Sequence, residues 1–189
     1  MREKDRFLKK QIDLKIFIIL FFFIFFSKNL FGEDVAPKIV KYVKSLDNFS
    51  SKFIQSNGNT IDEGFMYIKD KKIRLDYVYP KRTLILSERK GVYINHDLKE
   101  EEFFSTKNNI VSVFYQIFLD DSFFSKSYIA ENKEQIIFEK NIVAQSNQVK
   151  LKVFFENRPL LLRKILINSE KDRLSISFSD HNYENIFDE

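Results

Sequence analysis

The stretch GFMYIKDKKIRLDYVYP, residues 64–80, decides how this chain folds. Ile73, Leu75, Tyr77 and Tyr79 are interleaved with Arg74, Asp76 and Val78, and a period of two marks a strand with one dry and one wet face. Just before them, Phe65 and Tyr67 alternate with Met66 and Ile68 in the same way. Asp70-Lys71-Lys72 supplies a turn between the two strands, and Pro80, which has no N–H to give to a ladder, ends the second.

The same period extends outward. Upstream, Phe53 and Gln55 share a face, and Asn57-Gly58-Asn59 is a turn signal. Downstream, Thr83 to Ser87 and Val92 to His96 flank a turn expected at Gly91, and Glu101 to Ser105 follow. Six strands in succession with short turns form an antiparallel meander rather than a parallel α/β fold. Strands resume at Tyr128 to Ala130, Gln135 to Glu139, Ile142 to Gln145, Val149 to Glu156, Leu160 to Asn168 and Leu174 to Ser179, approaching twelve in all.

Two segments switch to helical spacing. Asp34 is placed to cap a helix running from about Pro37 to Leu46 with Ile39, Val40, Val43 and Leu46 on one stripe. Ile110, Val113, Phe114, Ile117 and Phe118 form a second stripe, with Thr106 or Asn108 as its cap and Asp120-Asp121-Ser122 as its end. A large curved sheet with so few helices has an apolar concave face to cover. The expected fold is therefore mainly β, a large curved antiparallel sheet with the helices laid across its concave face.

At the amino terminus Arg2, Lys4, Arg6, Lys9, Lys10 and Lys15 precede the apolar run Ile16 to Phe26. Basic residues followed by a run far short of the about 20 residues that span a bilayer read as a secretory signal peptide, expected over residues 1–32 with a cut after Gly32, with an uncleaved anchor as the rival because Leu30 is bulkier than the usual small residue there. One domain is expected over residues 33–189, in the periplasm. The leading segment holds seven Lys/Arg against three Asp/Glu, which leaves 24 of each in the remainder. The basic balance of the whole chain thus argues for no nucleic-acid surface. The absence of cysteine excludes disulfides and thiolate metal sites, and with them lipid attachment to the chain itself.

The four glycines form no phosphate-cradling loop. His96 and His181 show no metal spacing and read as solvated surface side chains, and the acidic runs Glu100-Glu101-Glu102 and Asp120-Asp121 read as solvated turns. Lys69, Lys71 and Lys72 could meet lipid headgroups or an acidic partner, or could guard a strand edge. No catalytic signature, cofactor site or metal site is read, and the chain is not expected to be an enzyme.

Phe53-Ile54-Gln55, Gly64 to Lys69, Ile73 to Pro80, Ser87 to Gly91 with Val92-Tyr93-Ile94, Leu151 to Phe155, Pro159-Leu160 and Ile186-Phe187 form an ordered set. As a set they resemble the outer-membrane lipoprotein carrier family (LolA), over nearly the whole of residues 33–189. The resemblance implies an incomplete antiparallel β-barrel, a half-barrel closed by an α-helical lid, whose cavity receives lipoprotein acyl chains. It also implies an inner-membrane ATP-driven lipoprotein extractor as the source of cargo and an outer-membrane receptor as a further partner. In the family an arginine after the second strand, usually before a proline, helps latch the lid; Lys69 and Asp70 stand at those positions here. Lysine keeps the charge and lacks the planar five-donor fork.

The reading therefore assigns Phe65, Tyr67, Ile73, Leu75 and Tyr77 to the acyl-chain groove. Ile39, Val43, Leu46, Ile110, Val113, Phe114, Ile117 and Phe118 belong to the lid and Lys69 to its latch. The parity of the second strand is the open point, since the opposite one turns Met66 and Ile68 inward. A monomeric carrier that shuttles lipoproteins between membranes is expected. The rivals are a periplasmic lipoprotein-binding sensor on the same scaffold, for which no further regulatory domain is read, and a lipid esterase, for which no Ser/His/acid set is read.

Overall fold

The chain leaves its first helix through a left-handed Asn48 (φ 63°) and enters a run of hairpins whose turns explain their own sequences. The structure is a computed structural model, and it describes residues 35–107, 110–120, 122–124, 127–144, 147–169 and 173–184. The expected signal segment and its cut, the Asp34, Asn108 and Asp121 helix signals and the closing Ile186-Phe187 lie outside the described residues.

Helix α1 spans Val35–Lys44, and strands β1 (Phe49–Ser56), β2 (Ile61–Lys69), β3 (Lys72–Tyr77), β4 (Arg82–Leu86), β5 (Lys90–Asn95) and β6 (Glu100–Ser105) follow. Between β1 and β2 the Asn57 side-chain oxygen accepts the N–H groups of Asn59 (2.9 Å) and Thr60 (2.8 Å), and Gly58 takes φ 94°. Asp70 (φ 49°) and Lys71 (φ 57°) are both left-handed, the two-residue turn whose twist suits a β-hairpin. The turn expected at Gly91 falls instead at Ser87 to Lys90, where Ser87 donates to the Lys90 carbonyl through its N–H (2.9 Å) and its hydroxyl (2.8 Å). Gly91 lies within β5 because the Phe104 ring occupies the place of its side chain: a Cβ would sit 2.2 Å from that ring.

Helix α2 (Ile110–Leu119) precedes β7 (Tyr128–Glu131), β8 (Gln135–Ala144), β9 (Asn147–Glu156), β10 (Leu161–Asn168) and β11 (Arg173–Asn182). There are eleven described strands, not nearly twelve, because the two strands read on either side of Lys140-Asn141 are one. Its register with β9 runs unbroken from Gln135↔Glu156 to Ala144↔Asn147.

All eleven strands form one antiparallel sheet in the order β6-β5-β4-β3-β2-β1-β11-β10-β9-β8-β7. The order dictates where α2 must go. The chain winds outward from the centre to β6, then has to reach β7 at the opposite edge, so the connection carrying α2 crosses a whole face. The sheet stays open at both edges, making a half-barrel with a helical lid.

Cross-strand pairs point to the same face, so the registers define rows. One inner row runs Phe49, Ile68, Ile73, Leu86, and the next runs Met66, Leu75, Leu84. On the other half Ile165, Val153 and Phe138 align. Apart from the half-buried Leu84, these residues, with Phe53, Ile136, Leu151, Phe155, Ile176 and Phe178, belong to the buried core. Burial at about 25 cal/mol per Å² of apolar surface makes this face the main stabilising element of the sheet.

Candidate functional site

The amphipathic stripes of both helices lie where their spacing puts them. On α1, Ile39 and Val43 are buried, as is Leu46 just beyond. The helix is also held by polar contacts at the β9–β10 end. The Lys38 ammonium donates to Asn157 Oδ1 (2.8 Å), and Asn157 in turn donates to Glu131 (2.9 Å) and to the Asn132 carbonyl (2.7 Å). The Tyr42 hydroxyl accepts the Leu162 N–H at 2.9 Å, where β10 bulges. Burial there pushes the Tyr42 hydroxyl well above the ordinary tyrosine range.

On α2, Val113, Phe114, Ile117 and Phe118 are buried; the side chain of Ile110 lies outside the described ones. Phe118 meets Phe178 of the sheet edge to face, with centroids 6.4 Å apart. Asp120 ends the helix as its sequence suggests, accepting the Ser122 N–H (2.9 Å) and hydroxyl (2.7 Å) on its carboxylate. Phe123 and Phe124 then drop into the core against Phe138, at 5.8 and 4.7 Å. Thr106 is not a helix cap: it is buried and donates to the Ser87 (3.2 Å) and Glu88 (3.0 Å) carbonyls, fixing the start of the crossing to the β4–β5 turn.

Beneath α2 an apolar cavity of about 200 Å³ remains, lined by Leu75, Tyr77, Leu84, Leu86, Val111, Phe114, Ile167, Leu174, Ile176 and Gln55. Its polar corner is organised. Tyr77 donates to Gln55 Oε1 (3.1 Å), the Arg82 guanidinium lies 4.3 Å over the Tyr77 ring, and Arg82 pairs with Asp62 at 2.8 Å. Burial pushes the Tyr77 hydroxyl up to about 12, against the opposing pull of Arg82, so it remains a neutral donor at any physiological pH.

Of the five residues read as groove, Leu75 and Tyr77 line this cavity, and Ile73 is buried in the adjoining inner row. Phe65 and Tyr67 do not. The burial along β2 puts Gly64, Met66 and Ile68 inward, while Phe65 is 40% exposed and pairs with Asp76 on the outer face. Every β2 residue is apolar or aromatic from Phe65 to Ile68, so alternation alone could not choose the face. Gly64 chooses it, since its missing side chain is the space where the Phe53 ring sits 2.9 Å from a would-be Cβ.

Lys69 shares the outer face with Tyr67, bordering a shallow depression with Asp70, Lys72, Arg74 and Ile85. It is thus on the wrong side of the sheet for a lid latch. Two other contacts tie α2 down. The Tyr115 hydroxyl donates to the Lys71 carbonyl (3.4 Å), and the Lys140 ammonium, from the inner face of β8, donates to the Phe123 carbonyl (2.7 Å) over the Phe123 ring (4.5 Å). Alternation leaves Lys140 in a gap between two strands; its partner across the sheet, Leu151, is fully buried, and no local pattern signals that pairing.

His96 is exposed, as its sequence setting suggests, whereas His181 is half-buried rather than solvated. His96 hydrogen-bonds Thr83 at 2.9 Å, and His181 packs on Phe49 at 5.3 Å. Among the described residues no group of His, Cys, Asp or Glu could hold a metal ion.

No family model matches the chain, and no curated protein matches it. Solved structures share its fold. An uncharacterized conserved protein from Thermus thermophilus superposes with a TM-score of 0.53 at 8% identity, over 82% of this chain and 90% of that one. The MucA/MucB complex of Pseudomonas aeruginosa gives 0.45 at 11%, over 79% of this chain and 57% of that one. LprF from Mycobacterium bovis gives 0.35 at 9%, over 77% of this chain and 93% of that one. At such identities the likeness is one of fold, and the Thermus protein carries it.

Proposed function

We propose that this chain is a periplasmic carrier that holds the acyl chains of lipoproteins against the inner face of the sheet and shuttles them from inner to outer membrane. The observation that carries the reading is the cavity of about 200 Å³ under α2, whose lining is apolar apart from one organised polar corner. Each methylene exposed to water costs about 0.8 kcal/mol, so a diacylated protein crosses an aqueous space only with its chains covered.

The cavity is smaller than the about 300 Å³ at which pockets for drug-sized ligands begin. Loading therefore requires α2 to move off Leu75, Leu84 and Ile176. Its polar ties include the Tyr115 hydrogen bond to the Lys71 carbonyl, and the segment just beyond it is held by Lys140 at the Phe123 carbonyl. Cargo that fills the apolar space in place of Val111 and Phe114 shifts the population toward the open state, and release reverses it. No bond is made or broken in this reading, and its partners are the inner-membrane ATP-driven extractor and an outer-membrane receptor.

The test is to isolate the protein from an envelope extract and weigh what accompanies it by native mass spectrometry. Acylated lipoproteins in one-to-one complexes are expected. Protein that emerges bare, or with partners whose amino termini carry no acyl group, contradicts the proposal.

A further inference from the structure

The outer face of the β2–β6 half carries a pattern that the carrier reading leaves unused. Lys69 and Lys72 pair across the β2–β3 hairpin, and Lys90 pairs with Ser105 at the same end of β5 and β6, all facing outward. Immediately behind them the registers align Tyr67, Arg74, Ile85, Val92 and Phe103 in one row across five strands. Phe103 at the end of that row is 71% exposed. Between the two rows lies a depression of about 270 Å³.

These lysines do not guard a strand edge, because β2, β3 and β5 are paired on both sides. Counting the turn tips Lys71 and Arg89, six cations gather here against Asp70, Asp76 and Glu88. Asp76 is already engaged by Arg74 (2.9 Å) and Thr83 (2.7 Å). Residues 33–189 are balanced in charge, so this is a local concentration rather than a consequence of composition.

We infer that this outer face docks on the surface of an anionic phospholipid bilayer. A fringe of lysines gives attraction to anionic headgroups, and an exposed aromatic backed by apolar side chains gives shallow insertion; reversible membrane attachment needs two such signals. An acidic protein would use the lysines and leave Phe103 without a role. The face lies on the opposite side of the sheet from the cavity, so the inference stands or falls independently of acyl-chain binding.

The experiment uses the chain from Glu33 onward, which contains the whole compact unit Ala36–Glu189. It is sedimented with phosphatidylcholine vesicles, with or without phosphatidylglycerol, at low and high salt. Partition onto the mixed vesicles alone is expected, reversed by salt. Replacing three charges as K69Q/K72Q/K90Q is expected to weaken it roughly a hundredfold, and Phe103→Ser alone about tenfold. All four side chains are exposed, so melting temperatures should be unchanged, and each single lysine substitution is read alongside. Equal partition onto both vesicle types, none onto mixed vesicles, or wild-type binding by the triple variant overturns the inference.

Discussion

The rings of Phe53 and Tyr77 meet edge to face, centroids 5.1 Å apart, across Gly64. Gly64 is the direct partner of both residues, Phe53 on β1 and Tyr77 on β3. A Cβ on it would lie 2.1 Å from the Asp76 carbonyl oxygen and 2.9 Å from the Phe53 ring. Backbone cannot yield as a flexible side chain can. Gly64→Ala is expected to cost about 2–3 kcal/mol, at the upper part of the range for overpacked sites, read from urea unfolding. It should also break the Tyr77 to Gln55 hydrogen bond at the cavity corner.

The facing of β2 gives a sharp pair of substitutions. Met66 is fully buried on the inner face, whereas Phe65 points outward beside Asp76. Met66→Glu should destabilise by more than about 4 kcal/mol, since it buries a carboxylate without a partner. Phe65→Glu should stay within about 1 kcal/mol. A larger cost for Phe65→Glu than for Met66→Glu in chemical denaturation would mean that the strand faces the other way.

Lys140 reaches from the inner face of β8 to the Phe123 carbonyl, just beyond α2. A hydrogen bond from a charged donor is worth about 1.5–3 kcal/mol, and Lys140→Met keeps most of the stem. The substitution should lower global stability by about 1–2 kcal/mol and speed hydrogen exchange of the α2 amides more than those of β1 and β11. Uniform acceleration throughout the chain would remove Lys140 from any role in holding the lid.

Acid should loosen the fold in two steps. Burial first, then the charge of Arg163, holds the His181 imidazolium below the ordinary histidine range, against the opposing pull of Asp180 and Glu156. The unfolded chain, with histidine near 6.5, takes up the proton first, so stability is lost as pH falls through about 6.5 and below. Glu139 and Asp180 are held low by hydrogen bonds from Lys152 and Lys52 respectively. Their contribution is present above the unfolded carboxylate range and is lost only as pH falls below about 4. Melting curves of His181→Phe should lose the first step and keep the second.

Much of this molecule is legible in its residues. Alternation and turn signals locate ten of the strands, most of which bury one face, and the helical stripes of Ile39–Leu46 and Val113–Phe118 give both lid helices. What alternation cannot decide is facing, where both parities are apolar, as at Phe65 to Ile68. Nor can it separate a polar turn from a polar pair inside a long strand, as at Lys140-Asn141, because the carbonyl that satisfies Lys140 lies 17 residues away. The cavity lining contributed by Leu84, Ile167, Leu174 and Ile176 depends on bringing β4 and β10–β11 under one helix. That juxtaposition follows from the order of the sheet, which no local pattern encodes.

Titrating the chain from Glu33 onward with a diacylated lipopeptide and with its delipidated form, for the wild type and for Leu75→Phe, bears most directly on acyl-chain binding beneath α2. Saturable one-to-one binding of the acylated form alone is expected, weakened at least about tenfold when phenylalanine takes up cavity space, a loss of about 1.4 kcal/mol. Equal affinity for both peptides, or binding indifferent to Leu75→Phe, would contradict it.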